Sequence, residues 1–377
     1  MISLDELGHL IEAHGFSGFS VVSAQRLPDA ARRLDDWRSA GFMGTMGYLN
    51  NPGERDKPDQ VMVEAQSIIS VAMNYYSRRD DIIPGPSDPF IARYARGRDY
   101  HRVMKERLGE LAEALTQNSS VGVLWRACVD TAPLLEREYA AKGGLGFIAK
   151  SSMLITPGVG SYTLLGELLV DQPLPTTSPV RDRCGSCTNC IVDCPTNAFI
   201  APRQLDARRC ISYWTIETRD SIPEPIREKM ENMVFGCDRC QEVCPFNGAT
   251  RPKHVDPGLQ PLEKLKSLNL SGLLKITTSD HKRLVKGTAL ERAARDQLMR
   301  NAAVAMGNSK NPEFIEPLGV ALRSNRYPVV REHCAWALGR IGGRKAHSEL
   351  QECLEGADEQ DPTVLSALQR ALERCAT

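Results

Sequence analysis

The sequence predicts three successive parts: a mixed α/β (α+β) domain over residues 1–175, a cysteine-rich module over residues 176–250 and an all-α repeat domain over residues 251–377. Three observations lead to this division. Helical and strand-like patterns alternate in the first part, eight cysteines lie between Cys184 and Cys244, and one helical pattern recurs near the C-terminus.

Composition limits the class of protein before any motif is considered. The chain has 377 residues, 47 basic and 47 acidic side chains and 42% hydrophobic residues, which suits two or three globular domains and excludes a disordered or collagenous chain. The sequence has no apolar run of about 18 residues, and Asp5 and Glu6 make its start acidic, so we expect a cytoplasmic protein without a membrane span. Twelve cysteines in a reducing compartment favour metal binding over disulfides.

The first part carries the signals of an alternating domain. Ser3 can cap a helix that has Leu4, Leu7 and Ile11 on one face, and residues 100–117 have the period of a surface helix. Runs typical of strands lie at residues 19–22, 67–73, 121–129, 152–156 and 162–170. The proline-rich segment 172–179 then marks the connection to the cysteine-rich module.

The C-terminal part contains a repeat. Residues 303–307 match residues 335–339 at an offset of 32, and Leu318 and Leu322 match Leu350 and Leu354 at the same offset. This spacing predicts helix pairs of the HEAT kind, with residues 364–372 as a terminal cap.

Positive charge is concentrated in this repeat region. Between Lys264 and Lys345 there are 16 Lys and Arg residues against six Asp and Glu, an excess of ten in a chain of zero net charge. Such a surface suits a nucleic-acid backbone, and an ordinary solvated helix face is an equal alternative from charge alone.

The cysteines give the strongest chemical signal. Cys184-x2-Cys187-x2-Cys190-x3-Cys194-Pro195 has the spacing of a bacterial two-cluster ferredoxin, in which the fourth cysteine binds the other [4Fe–4S] cluster. A second half, Cys237-x2-Cys240-x3-Cys244-Pro245, lacks one ligand, which Cys210 can supply. The pattern therefore predicts two clusters with the ligand sets Cys184, Cys187, Cys190 and Cys244 (cluster 1), and Cys194, Cys210, Cys237 and Cys240 (cluster 2).

Structural zinc is the alternative for paired cysteines, and two nearly complete ferredoxin runs make it the weaker one. Four further cysteines lie outside the pattern and are expected to be small buried residues: Cys128, Cys334, Cys353 and Cys375.

The sequence does not define the group that would receive electrons from such clusters. Gly143-Gly144-x-Gly146 follows a helical pattern, whereas a dinucleotide fingerprint follows a strand. Asp99-Tyr100-His101 is half of a cobalamin-binding D-x-H-x-x-G motif, but Met104 stands where the glycine belongs. From the residues alone the prediction is an iron–sulfur oxidoreductase with an undefined acceptor.

The chain as a whole resembles the epoxyqueuosine reductases. The altered ferredoxin half and the HEAT-like tail that begins with Arg300-Asn301 belong to this resemblance, as do the segments Arg93-Tyr94-Ala95-Arg96-Gly97-Arg98-Asp99-Tyr100-His101, Val129-Asp130-Thr131-Ala132-Pro133-Leu134-Leu135-Glu136-Arg137 and Gly143-Gly144-Leu145-Gly146-Phe147-Ile148-Ala149-Lys150. The resemblance implies cobalamin bound base-off, without its lower dimethylbenzimidazole ligand, beside two [4Fe–4S] clusters. It implies the last step of queuosine biosynthesis, which reduces an epoxide to an alkene in the wobble nucleoside of the tRNAs for Asp, Asn, His and Tyr. It also implies an external electron donor, and we expect a monomer.

The resemblance also assigns roles to single residues. It implies that Asp130 is the proton donor and that Arg137 contacts the substrate. The segments that line cobalamin in the family contribute Arg55, Tyr94, Asp130, Ser152, Ser212 and Asp238. Asn51 replaces a histidine of the family, so it is given no role.

Asp130 has a structural alternative as well. Followed by Pro133, it also reads as the N-cap of a helix, which would place Arg137 two turns further on the same face.

Two other functions remain open at this stage. One is a reductive dehalogenase-like cobalamin enzyme acting on a small molecule, for which the basic tail would have no purpose. The other is an RNA-binding or scaffold protein whose clusters are only structural.

Overall fold

A computed structural model describes residues 2–50, 55–76, 81, 83–119, 122–248, 255–356 and 359–376. The chain forms two compact units. The first contains Met1–Asp81, Arg93–Arg208 and Asp238–Pro261, and the second contains Ile82–Ala92, Arg209–Cys237 and Leu262–Thr377. The cysteine-rich segment thus contributes to both units, and Asn51 lies outside the described residues.

The strands and helices are numbered in chain order. The strands are β1 Gly18–Ser23, β2 Ser67–Asn74, β3 Phe90–Ile91, β4 Trp125–Cys128, β5 Phe147–Ile148, β6 Leu154–Ile155, β7 Thr163–Val170, β8 Phe199–Ala201, β9 Gln204–Leu205 and β10 Met233–Phe235. The α-helices are α1 Leu4–Ala13, α2 Pro28–Ser39, α3 Pro58–Val61, α4 Tyr100–Gln117, α5 Glu136–Gly143, α6 Asn189–Val192, α7 Ile211–Ile216, α8 Glu224–Arg227, α9 Arg239–Glu242, α10 Pro245–Gly248, α11 Glu263–Lys266, α12 Leu270–Leu274, α13 Thr278–Val285, α14 Arg295–Ser309, α15 Ile315–Ser324, α16 Pro328–Ile341, α17 Gly343–Glu355 and α18 Pro362–Ala376.

The first unit is built on a four-stranded sheet in the order β1-β2-β7-β4, and all three pairings are antiparallel. The domain is therefore α+β rather than parallel α/β. Glu167 of β7 lies opposite Ser70 of β2 and Cys128 of β4, and its side chain is fully buried. A carboxyl group thus lies within an otherwise apolar strand.

Helices α1 and α4 form where the sequence predicts them. The Ser3 side chain accepts a hydrogen bond from the Glu6 N–H, and the Glu6 carboxylate accepts one from the Ser3 N–H at 2.8 Å, which is a capping box. Helix α4 buries Leu108 and Leu111. A Cβ at Gly166 of β7 would lie 2.8 Å from the Met104 methyl group, so this glycine permits α4 to pack closely on the sheet.

The glycines after α5 serve packing as well. A Cβ at Gly143 would lie 2.6 Å from the Ser20 side chain, and Gly144 ends the helix with a φ of 89°. This supports the prediction that the glycine run is not a nucleotide fingerprint.

The helical repeat has a simple steric basis in the second unit. A Cβ on Gly307 of α14 would lie 2.8 Å from the Ala337 Cα of α16, and a Cβ on Gly339 would lie 2.7 Å from the Ala371 Cα of α18. The offset of 32 residues therefore brings small side chains to each close helix contact.

A buried arginine joins the repeat to segment 209–237 within the second unit. Arg300 is fully buried and its guanidinium donates to the carbonyl oxygens of Trp214, Thr218 and Asp220 at 2.5, 3.0 and 2.6 Å. The neighbouring Asn301 amide donates to the Thr215 carbonyl at 3.0 Å. Arg300 is thus a structural residue and is unavailable to a nucleic acid.

The described residues include no helix with both the length and the apolar character that a membrane span requires.

The Arg300 contacts predict a large stability effect. Arg300→Met should lower the free energy of unfolding of the second unit by about 2–4 kcal/mol, because the hydrogen bonds of a buried guanidinium group to three carbonyl oxygens are lost, although the Thr218 carbonyl keeps another donor, Gln297. Urea denaturation followed by circular dichroism measures this. Arg344→Met, at an exposed position of α17, is the matched control and should change stability by less than about 0.5 kcal/mol. Equal midpoints for the two variants would contradict the structural role of Arg300.

Candidate functional site

Asp130 lies in an irregular loop between β4 and α5. Its φ is +53°, a left-handed conformation that residues other than glycine seldom adopt. Helix α5 begins at Glu136 with Leu135 as its N-cap, so the interpretation of Asp130 as a helix N-cap is wrong. The expectation that Asp130 and Arg137 share a helix face fails for the same reason, because Pro133 belongs to the loop and not to the first turn.

Three contacts hold this loop, residues 129–135. The Asp130 N–H donates to the Glu136 carboxyl group, and the Leu135 N–H donates to the Arg55 carbonyl at 3.1 Å. Just beyond the loop, the Arg137 guanidinium donates to the Ser152 carbonyl. These contacts hold the backbone around Asp130, which belongs to no strand or helix.

Helix α4 supplies partners for the Asp130 side chain. His101 Nε2 lies 3.2 Å from Asp130 Oδ2, and His101 Nδ1 lies 2.8 Å from Asp99 Oδ1. Burial lowers the pKa of His101, but the hydrogen bonds to Asp130 and Asp99 outweigh it, so the pKa is raised. The Tyr100 hydroxyl also bonds to Asp130, and burial raises the pKa of Tyr100 well above its ordinary value. Since 51% of the Asp130 side chain is exposed, its other face is open to a ligand.

Three other residues predicted to line a cofactor lie around the same loop. The Tyr94 ring packs edge-to-face on Tyr100 with centroids 5.8 Å apart. Ser152 has a φ of +64°, and the buried Nε of Arg55 meets no hydrogen-bond acceptor among the described residues. With Asp130 and Arg137, these side chains form one group in the first unit.

Asp238 differs from that group because its side chain is already engaged. It is buried, and it accepts hydrogen bonds from the Arg93 backbone N–H at 2.9 Å and from Arg93 Nη1 at 3.2 Å. Its side chain therefore anchors Arg93, and contact of its backbone with a cofactor stays a prediction. Ser212 lies in α7 of the second unit, and its role also stays a prediction.

The four cysteines of predicted cluster 1 all belong to the first unit and come together there. Burial raises the pKa of Cys190, and the neighbouring thiols of Cys244, Cys184 and Cys187 raise it further. Cys184 and Cys244 pack against an apolar cluster that includes Phe147. Four adjacent thiols in a partly buried apolar setting are the ligands that a [4Fe–4S] cluster uses.

Lys150 fixes the loop that carries these thiols. Its ammonium group donates to the Gly185 carbonyl at 2.7 Å and to the Cys187 carbonyl at 2.8 Å. A positive charge is therefore held next to the place where thiolates would gather.

The predicted cluster 2 ligands are divided along the chain. Cys194 and Cys240 belong to the first unit, and Cys210 and Cys237 to the second. Cys194 Sγ accepts a hydrogen bond from the Ala198 N–H at 3.3 Å. Within the described ranges, no three His, Cys, Asp or Glu side chains lie close enough to share one metal ion, and a four-iron cluster spaces its ligands more widely than a single ion does.

The sequence interpretation missed Glu136 and Glu167, whose carboxyl groups meet beneath the Asp130 loop. The sequence did contain an indication of Glu167, because it is the only charged residue in the apolar run Thr163–Val170, where a buried carboxyl group needs a reason. It also missed that His101 lies beside Asp130, since Asp99-Tyr100-His101 was considered as part of a cobalamin motif and of a family segment but not as a partner of Asp130.

Three family models match separate parts of the chain. A model described as epoxyqueuosine reductase QueG, DUF1730, matches residues 55–131, a 4Fe-4S double cluster binding domain matches residues 183–247, and HEAT repeats match residues 271–373. The double cluster domain and the repeats agree with the predictions made from cysteine spacing and from the offset of 32.

Relatives named epoxyqueuosine reductase match most of the chain. The protein of Xanthomonas campestris pv. campestris is 37% identical over 334 residues, 87% of this chain and 93% of the relative. The Pseudomonas aeruginosa protein is 40% identical over 85% of this chain and 90% of its own length. The Escherichia coli protein is 35% identical over 90% of each chain.

Solved structures agree over the full length. A crystal structure of epoxyqueuosine reductase with a tRNA-Tyr epoxyqueuosine-modified stem loop is 30% identical, with a TM-score of 0.90 over 99% of this chain and 98% of that one. The Bacillus subtilis epoxyqueuosine reductase, with its catalytic aspartate loop swung out of the active site, is 29% identical, with a TM-score of 0.89 over 98% of each chain.

The convergence of cluster 1 thiols gives a prediction for iron content. Anaerobically prepared protein should contain about eight iron atoms per chain, and Cys244→Ser should lower this to about four, because one of two four-iron clusters loses a ligand. Iron analysis measures both values. Cys353→Ser, at a buried cysteine outside the pattern, is the control and should keep all the iron. Bound zinc in place of iron would contradict the assignment.

Proposed function

The chain belongs to the epoxyqueuosine reductase family, and from this premise we propose that it uses cobalamin beside two [4Fe–4S] clusters, with Asp130 as the proton donor. The chain is an oxidoreductase that reduces epoxyqueuosine in tRNA. The observation that carries the proposal is the half-exposed Asp130 carboxyl group, held in a strained loop among the residues implied to line the cofactor. A small-molecule reductase is not favoured, because the relatives that span the chain carry the tRNA-modifying name.

Several features of the first unit fit a large polar cofactor next to Asp130. Arg55 holds a buried Nε with no acceptor among the described residues, and Asp130 and Ser152 both have left-handed backbone. Unsatisfied donors and strained backbone are found where a ligand completes the environment. Arg55, Tyr94, Asp130 and Ser152 would therefore hold the corrin, and contacts from Ser212 and the Asp238 backbone stay predictions of the family resemblance.

The proposed reaction consumes two electrons and two protons per epoxide. Both C–O bonds of the epoxide break, an alkene forms, and the oxygen leaves as water. The clusters and the corrin, when bound, would supply the two electrons, which an external donor would replace.

The residues of the chain supply protons and position. Opening an epoxide leaves an alkoxide, and Asp130 can protonate that oxygen as its C–O bond breaks. His101, hydrogen-bonded to both Asp130 and Asp99, can return a proton to Asp130. The swung-out catalytic aspartate loop of the Bacillus subtilis relative supports this assignment, because the Asp130 loop likewise has no regular structure to fix it.

For the RNA partner we propose the repeat region, and within it the end where α14 and α16 begin. Tyr327 lies there with the guanidinium groups of Arg326 and Arg295 at 4.6 and 5.3 Å from its ring centre. Lys282 and Lys286, which are exposed, precede α14. Cations that surround an aromatic ring suit both a phosphate backbone and a base. The anticodon stem-loop of the tRNAs for Asp, Asn, His and Tyr is the proposed ligand.

The donor role predicts a specific defect. Asn tolerates left-handed backbone, so Asp130→Asn should keep its fold and cofactors but reduce epoxyqueuosine at least about 100-fold more slowly, because an amide cannot donate the acidic proton. Single-turnover assays on cluster- and cobalamin-loaded protein measure this rate. Near-normal turnover by the variant would remove Asp130 from the donor role.

The RNA surface predicts an effect at one end of the repeat helices. Replacing Lys282, Lys286 and Arg326 by Ala should weaken tRNA binding. It should also make the slope of log affinity against log salt concentration shallower by about two to three units, because each lost phosphate contact lowers that slope by about 0.9. Filter binding at several salt concentrations provides the slope.

The matched control removes three charges from the opposite helix ends. Lys310, Arg344 and Lys345 are exposed where α14 ends and α17 begins, and replacing them by Ala makes the same change in net charge. This control should keep affinity within about twofold. Equal losses for both triple variants would mean that only net charge matters, and the proposed surface would be wrong.

A further inference from the structure

The carboxyl groups of Glu167, which is fully buried, and of Glu136, which is partly buried, face each other beneath the Asp130 loop. The Glu167 side chain is 0% exposed to solvent. Within the described residues, no N–H group donates to either of its carboxyl oxygens. The group that faces it is the Glu136 carboxyl. Two carboxylates cannot share an apolar site unless one of them holds a proton.

The contacts indicate which carboxyl group holds that proton. Burial and the charge of Asp130 raise the pKa of Glu136 to about 7, while the Asp130 N–H, Glu167 and Arg137 lower it again and favour the charged form. For Glu167, burial raises the pKa well above the ordinary value and the neighbouring Glu136 raises it further, while Ser70 and Cys128, which lie opposite it on the adjoining strands, carry no positive charge. The consistent arrangement is a neutral Glu167 that donates to a charged Glu136.

A charged Glu136 acts on Asp130 in two ways. It anchors the backbone N–H of a residue in strained left-handed conformation, and its negative charge opposes a second negative charge on the Asp130 side chain. The side chains facing Asp130 from α4 are His101 and Tyr100, and His101 in turn contacts Asp99. Because His101 favours ionised Asp130, the transferable proton belongs to the Asp130–His101 pair, and Glu136 favours keeping it there.

We propose that Glu136, supported by the neutral carboxyl group of Glu167, is a positioning residue that anchors the Asp130 loop and retains the transferable proton on the Asp130–His101 pair. This inference rests on the proposed donor role of Asp130. It gives a role to a costly contact between the Glu167 carboxyl group of the sheet and the Glu136 carboxyl group of α5.

The test compares pH profiles of single-turnover reduction. Activity of the wild-type enzyme should fall at high pH as the Asp130–His101 pair loses its proton. Glu136→Gln retains an oxygen acceptor for the Asp130 N–H but removes the negative charge, so the fall should move to lower pH by about one unit. Glu138→Gln is the control, because Glu138 is on the same helix but pairs with Arg33, and its profile and rate should equal those of the wild type.

A second variant tests the placement of the proton. Glu167→Gln replaces the carboxylic acid donor by an amide donor and leaves the charge of Glu136 in place. The activity of this variant should therefore fall at the same high pH as that of the wild type. An equal shift in both Gln variants would overturn the assignment of the proton to Glu167. No shift in Glu136→Gln would overturn the proposal itself.

A measurement without cofactors separates this inference from the proposed function. NMR titration of the His101 imidazole should show a lower pKa in Glu136→Gln than in the wild type and no change in Glu138→Gln. Near-normal turnover of Asp130→Asn would remove the donor role. If Asp130→Asn turns over slowly but the His101 pKa in Glu136→Gln equals that of the wild type, Asp130 keeps its role as proton donor and the proposed role of Glu136 is rejected.

Discussion

The hydrogen bond from the Asp130 N–H to Glu136 is the constraint on which the site depends. Asp130 belongs to neither β4 nor α5, so no ladder or helix fixes its backbone, and its φ of +53° is unfavourable for a residue with a side chain. Glu136 in turn is held at the first turn of α5 against Glu167 of the central sheet. The backbone of the half-exposed Asp130 is therefore held by the partly buried Glu136, and the sheet supports the loop through the contact of Glu136 with Glu167.

Elements governed by local pattern could be predicted from the sequence. The capping box at Ser3, the helix over residues 100–117 and the repeat offset of 32 all follow from side-chain periodicity, which reports a helix's own buried face. The strand expected over residues 121–129 is shorter in the structure, where β4 covers Trp125–Cys128. Strand ends depend on the partner strand, and β7 pairs with only those four residues of β4.

The site was predicted less completely than the fold, for a physical reason. The two-cluster ferredoxin pattern relates Cys184, Cys187 and Cys190 to the distant Cys244, so the convergence of the cluster 1 thiols could be predicted from the sequence. The partners of Asp130 come from α4 and α5, and the partner of Glu136 comes from β7; nothing local in the sequence relates Glu167 to Glu136 or His101 to Asp130. Without that tertiary information, an Asp before Pro133 resembled a helix cap, although α5 begins only at Glu136.

The repeat region shows why net charge alone overstates a nucleic-acid surface. Of its cations, Arg300 is buried among carbonyl oxygens. Arg323 and Arg331 pair with Glu349 and Glu359, which both lie beyond the segment 264–345 in which the charges were counted. A paired or buried arginine has already exchanged its hydration for protein contacts, so it releases few counterions when a phosphate approaches. Affinity for RNA should therefore depend on the exposed lysines and on the cations around Tyr327, a smaller set than the sum of charges indicates.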